Sequence, residues 1–277
     1  MDARTFLGLE PSDDPLRWRL PVTDAISSGW GQLFGGCGLA AAIVAIESVT
    51  GRHTVWASAQ YLRFAQTGTV LDLDVTVSVS GFYTAQGRVT ASFDGLEILT
   101  VQVALGDRPG LGERTLAPFP DVPAPGNCTP RQLPEPARQG VLRRVETRIA
   151  RGRPMHEITE PGSGRIALWA RVIDALEPSA AWLAVLGDLV PAGVADARGV
   201  PGGGNSLDNT LRVVRLVPST WVLCEIGIDS MARGFAHGWG RLWSEDGTLM
   251  ATASQSVIVR SHSERRPPSE ISVPPPL

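Results

Sequence analysis

Apolar residues crowd together in two long runs, GGCGLAAAIVAIESVT (35–50) and SAAWLAVLGDLV (179–190), each of a length that predicts a helix. Around them apolar and polar residues tend to alternate, the period of a strand with one buried face. The segments 54–64, 69–81, 85–93 and 96–105 follow the first run and predict an antiparallel meander. The segments 207–217, 220–229, 235–243 and 248–260 follow the second, and a further strand, GRIALWARVID (164–174), precedes it. One plan therefore occurs twice.

The hairpin turns support the duplication. SFDGLEIL (92–99) and SEDGTLMA (244–251) each place Asp-Gly between two strands, at an offset of 152 (246 − 94). YLR (61–63) matches TLR (210–212) at an offset of 149. A helix wrapped by a curved antiparallel sheet, present twice, predicts an α+β chain with a double hotdog fold. Proline marks the divisions: residues 107–140 hold eight of the 22 prolines and no periodic apolar pattern. The expected organisation is an N-terminal hotdog domain (1–106), a Pro-rich linker (107–140), a C-terminal hotdog domain (141–262) and a disordered tail (263–277).

Composition narrows the chemistry. With 43% hydrophobic and 19% charged residues the 277-residue chain has an ordinary globular balance, and a net charge of −3 provides no basic field for nucleic acid. No unbroken apolar stretch approaches the roughly 18 residues of a membrane span, and the N-terminus shows no signal-peptide pattern, so a cytoplasmic location is expected. Cys37, Cys128 and Cys224 are far apart and form no CxxC, and the four histidines have no ligand spacing. Reduced thiols, no metal and no cofactor are therefore expected. A serine-hydrolase G-x-S-x-G is absent, as is the Asp followed five residues later by His that hotdog hydratases use.

Comparing the halves points to one site. At the two offsets Asp208 falls opposite Ala59 and Gln255 opposite Val103, while Asp229 falls near Ser78 or Val79. Polar groups thus stand in the second half where the first is mostly apolar. The segments QLFGG (32–36), NSLDNTL (205–211) and DGTLMATASQSVIVR (246–260) resemble the acyl-CoA thioesterase II family, whose members carry two hotdog domains in one chain. The resemblance implies a site in which an Asp, a Thr or Ser and a Gln position one water for attack on a thioester. It places the Asp at Asp208 and the Gln at Gln255. The hydroxyl position falls on Asp229, a departure from the family, unless a one-residue shift brings Ser230 into the role.

Thioester hydrolysis needs a base, an orienting group and donors for the carbonyl oxygen. Gly35, Gly36 and Cys37, at the start of the first helix, are the expected oxyanion-hole amides. Arg260, Arg265 and Arg266 are available to CoA phosphates. The expected partner is an acyl-CoA substrate, with a homo-oligomer formed through the hotdog sheets. The rival expectation is a catalytically silent acyl-CoA-binding or scaffold protein with the same fold.

Overall fold

The computed structural model describes residues 1–110, 112–174 and 176–259, so the expected tail and Arg260, Arg265 and Arg266 lie outside the described residues. The first half comprises α1 (Ala3–Leu7), β1 (Glu10–Pro11), β2 (Arg17–Pro21), α2 (Gly35–Thr50), β3 (Thr54–Tyr61), β4 (Val70–Ser80), β5 (Thr84–Phe93) and β6 (Leu96–Gly106). The second comprises β7 (Thr129–Pro130), β8 (Val145–Arg151), β9 (Arg165–Val172), α3 (Ala180–Gly187), α4 (Ala192–Arg198), β10 (Gly204–Ser206), β11 (Asp208–Val213), β12 (Val222–Ala232), β13 (Phe235–Ser244) and β14 (Leu249–Val259). All strands join one antiparallel sheet in the order β1-β2-β4-β5-β6-β3-β11-β14-β13-β12-β9-β8-β7, with β10 paired to β14. This is the double hotdog architecture.

The order runs outward in the same sense on both sides of the β3–β11 seam, where the halves meet. That seam is a within-chain ladder, Asp208↔Gln60 through Arg212↔Trp56, and the Ser58 and Thr210 hydroxyls hydrogen-bond across it at 2.7 Å. The polypeptide itself thus covers two strand edges that would otherwise be open to pairing.

Inward-facing residues of the curved sheet bury the helices. Small residues fill α2, ten of whose sixteen residues are buried, and Gly51 ends it in the left-handed conformation, φ 64°. All eight residues of α3 are buried, and Ser179 caps it by accepting from the Trp182 amide. The second apolar run, expected as one helix over 179–190, forms α3 only as far as Gly187, and after a turn that ends at Pro191 the chain starts the separate helix α4. The 19-residue stretch Ala180–Arg198 is long and apolar enough to cross a membrane by composition, yet 83% of its most apolar window is buried inside the protein, as suits a core helix.

Two outer strands, RWRLP and VETRIAR, escaped the pattern because they are short and carry charged residues on their exposed faces. The Pro-rich segment is extended but not detached. Pro123 accepts from the Trp169 indole at 2.8 Å, Phe119 meets Trp243 edge-on, and Cys128 is buried between the segment and the sheet.

Register fixes the correspondence of the halves. Thr54↔Leu105 precedes a bulge in β3, and Ser206↔Val257 precedes one between β10 and β11. A single offset of 152 carries Thr54 to Ser206 and Leu105 to Val257, and equally Ala57 to Asn209 and Val103 to Gln255. The 149-residue offset taken from YLR and TLR is therefore replaced, and the counterpart of Asp208 is Trp56 (208 − 152). Ala59 instead pairs with Asn209 across the seam.

Candidate active site

Between Ser179 and Ala195 the only charged residue is Asp188, set directly after the last turn of α3. The packing of α3 against α2 brings this carboxylate to the start of α2. Phe34, at the N-cap of α2, supplies no side-chain acceptor, so the Gly36 amide donates to Asp188 Oδ2 at 2.7 Å. A carboxylate from one half thereby caps the central helix of the other, where the helix dipole favours negative charge.

Two further donors reach the same carboxylate. Gln255 Nε2 donates to Asp188 Oδ1, and Ser206 Oγ donates to the same oxygen at 3.4 Å. Burial pushes the Asp188 carboxyl up to about 6, against the lowering effect of the donors Gln255, Gly36 and Ser206. An acid in this range gains and loses its proton close to neutrality.

The glycines ahead of α2 make room for this contact. A Cβ on Gly35 would stand 2.9 Å from Tyr61 Cζ, 3.1 Å from Tyr61 Oη and 3.0 Å from Asp188 Oδ2. A Cβ on Gly36 would stand 2.8 Å from the Ala184 carbonyl oxygen and 2.9 Å from Asp188 Cβ. The absent side chains therefore admit Asp188 and Tyr61. Of the expected oxyanion donors, the Gly36 amide is taken by Asp188 and the Cys37 amide donates to Phe34 O. Cys37 lies wholly in the core, and burial together with Asp188 pushes its thiol up, which disfavours a thiolate nucleophile.

Gln255 occupies the inward position of an alternating strand, between buried Ala253 and Val257, and its Oε1 is buried without a hydrogen-bond partner. Asp208 does a different job. From Ser206↔Val257 to Thr210↔Ser254 the chain takes four steps against three on β14, so one extra residue is accommodated in a bulge. The bulge reverses the strand's parity, and both Ser206 and Asn209 turn inward although they are three residues apart. It also leaves the Ser256 amide without a ladder acceptor, and Asp208 Oδ1 takes that bond at 2.7 Å.

Asp229 and Ser230 do not join the cluster. Ile228 lies in the inner row with Gly238 and Gln255, but a bulge between Ile228 and Ser230 sends the next side chains outward. Asp229 is 56% exposed, pairs with Arg165 Nη2 at 2.9 Å and accepts from the Trp239 indole at 3.1 Å. Ser230 is exposed opposite His237. Of the expected trio, the structure brings only Gln255 to Asp188. The hydroxyl beside it belongs to Ser206, two positions before the aspartate that the sequence singled out. Among the described residues no group of three His, Cys, Asp or Glu side chains could hold a metal ion.

Residues 125–259 match the family described as the acyl-CoA thioesterase C-terminal domain. A candidate thioesterase from Novosphingobium aromaticivorans DSM 12444 is 36% identical and superposes with a TM-score of 0.82 over 91% of this chain and 98% of its own. A hot dog fold protein from Alicyclobacillus acidocaldarius gives the same TM-score at 20% identity, over 94% and 98% of the two chains. The acyl-CoA thioesterase II TesB2 of Mycobacterium marinum, also 20% identical, gives 0.72 over 94% and 99%. At 20% identity these two likenesses speak for the fold alone. Among curated proteins no sequence matches this one.

Proposed function

Because this chain belongs to the acyl-CoA thioesterase II family and is a thioester hydrolase, we propose that it hydrolyses acyl-CoA to free acid and CoA with Asp188 as the general base. The observation that supports this reading is the buried Asp188 carboxylate, held by Gln255, Ser206 and the Gly36 amide.

In the proposed reaction a water lies against Asp188. Gln255 spends Nε2 on the carboxylate, which leaves Oε1 as an acceptor for the second hydrogen of that water. Ser206 Oγ holds the other flank. As the water oxygen bonds to the thioester carbon, its proton passes to Asp188 and the carbonyl electrons move onto oxygen. When those electrons return, the C–S bond breaks and the CoA thiolate takes the proton from Asp188. The base is regenerated, and free acid and CoA leave.

The desolvation that raises the Asp188 carboxyl strengthens it as a base for this step. The rival expectation of a silent scaffold drew on Asp229 in place of a hydroxyl, and the hydroxyl beside the carboxylate is Ser206. Purified protein mixed with acyl-CoAs of short, medium and long chain and a thiol reagent is expected to release CoA. Asp188→Asn is expected to lower kcat by about 10²- to 10⁴-fold. Full turnover by Asp188→Asn, with loss in Asp208→Asn, would return the base to Asp208.

A further inference from the structure

Eight buried side-chain nitrogen or oxygen atoms lack a partner among the described residues, and four of them belong to three residues near Asp188: Tyr61 Oη, Asn209 Oδ1 and Nδ2, and Gln255 Oε1. Orphaned buried polar atoms are costly, so a group of them in one place marks a position where a ligand completes the bonding. Gln255 Oε1 can only accept. Tyr61 and Asn209 are different, because each carries a donor.

The fold sets these two side chains together from opposite halves. Tyr61 ends β3 and its amide donates to Leu207 O, while Asn209 faces inward from β11 because of the bulge before it. The Asn209 carboxamide acts on the Tyr61 phenol as a hydrogen-bond donor, short of full hydrogen-bond geometry, and its Nδ2 keeps a second N–H while the Tyr61 O–H stays available. Tyr61 Oη and Asp188 Oδ2 close on the same point of the backbone, 3.1 and 3.0 Å from where a Cβ on Gly35 would stand. Burial and the nearby Asp188 hold the Tyr61 hydroxyl well above its usual range, so it remains a neutral donor.

Two neutral donors next to a buried base suit an uncharged oxygen that acquires charge during reaction. We propose that Tyr61 Oη and Asn209 Nδ2 bind the thioester carbonyl oxygen and stabilise its negative charge while water adds. No proton leaves Tyr61: the carbonyl electron pair moves onto oxygen between the two donors and returns as the C–S bond breaks. The seam thus divides the labour, with Asp188, Ser206, Gln255 and Asn209 from the second half and Tyr61 from the first. This assignment rests on Asp188 as the base.

A ketone analogue of an acyl-CoA, with CH2 in place of sulfur and ¹³C at the carbonyl, cannot be hydrolysed and reports on the donors directly by its infrared carbonyl stretch. On binding to the wild-type protein the band is expected to move to lower frequency. Tyr61→Phe and Asn209→Ala are each expected to lose part of that shift. In turnover with the true thioester, each variant is expected to lose about 10²- to 10³-fold in kcat, the scale of one oxyanion donor. The midpoint of the pH profile should stay where the wild type has it. A band that does not move on binding, or that moves equally in wild type and both variants, overturns the assignment. The base reading fails separately, through turnover by Asp188→Asn, and the ketone measurement requires no turnover at all.

Discussion

The two halves share strand order, turn chemistry and even the position of a bulge, yet their interiors differ where it matters. Aligning the helix C-caps Gly51 and Gly199 sets Ala40 in the place of Asp188, and the strand register sets Thr54, Ala57 and Val103 in the places of Ser206, Asn209 and Gln255. The first half keeps one hydroxyl and fills the other positions with small apolar side chains. The second keeps a carboxylate and two carboxamides in a buried environment, which costs folding free energy unless each is paired. A duplicated fold can therefore carry its polar groups in one copy and use the other as packing. The first half still supplies the Gly36 amide to Asp188 and brings Tyr61 to the seam.

The largest expected effect comes from making the second half more like the first at its centre. Asp188→Asn is expected to lower turnover about 10²- to 10⁴-fold and to leave stability equal or higher at neutral pH. The sign follows from the shift. The folded carboxyl sits at about 6, above the ordinary value of 3.8, so folding favours the protonated form. Its contribution is complete below the ordinary carboxyl range and is lost as pH rises through about 6. Thermal melts from pH 4 to 8 should show the Asp188→Asn variant gaining on the wild type over that window. Catalysis should run the other way, with wild-type kcat/KM falling as pH drops below about 6.

Gln255→Val copies Val103 and is expected to cost about 10²-fold in kcat, measured by CoA release, with the protein still folded. Gly35→Ala puts a methyl group against Tyr61 and Asp188, and a loss of about tenfold or more is expected in kcat/KM. Asp208→Ala leaves the Ser256 amide unsatisfied, so denaturant unfolding should register a loss of about 1–3 kcal/mol, while kcat falls less than in Asp188→Asn. The smallest effect is reserved for Asp229→Ala. It touches only the outer face, and turnover within about twofold of wild type is expected, as for a surface substitution. A loss matching that of Asp188→Asn would draw the outer face into the reaction.

Much of the fold was legible in the chain. The periods of α2, α3 and the long strands and the repeated Asp-Gly turns followed from residue pattern, whereas alternation alone allowed Gln255 a solvent-facing place and the structure turns it inward. The site was less so. Asp188 carried one local signal, as the lone charge in an apolar run, but a helical reading treats that run as core. Asp208 stands out in the sequence because it opens a strand after a turn-like segment, and the structure gives that carboxylate to the Ser256 amide. Asp229 stood at a strand end whose last residues turn outward.

Hydrophobic spacing along the chain decided the elements and their duplication, because helix and strand periods are local properties of neighbouring residues. Which polar groups meet was decided only in three dimensions. A single extra residue in a strand reverses every side chain beyond it, and no alternation pattern records that event. Nor can local sequence show that the last turn of α3 ends on the first turn of α2, 152 residues away, where Gly36 leaves an amide and a space for Asp188.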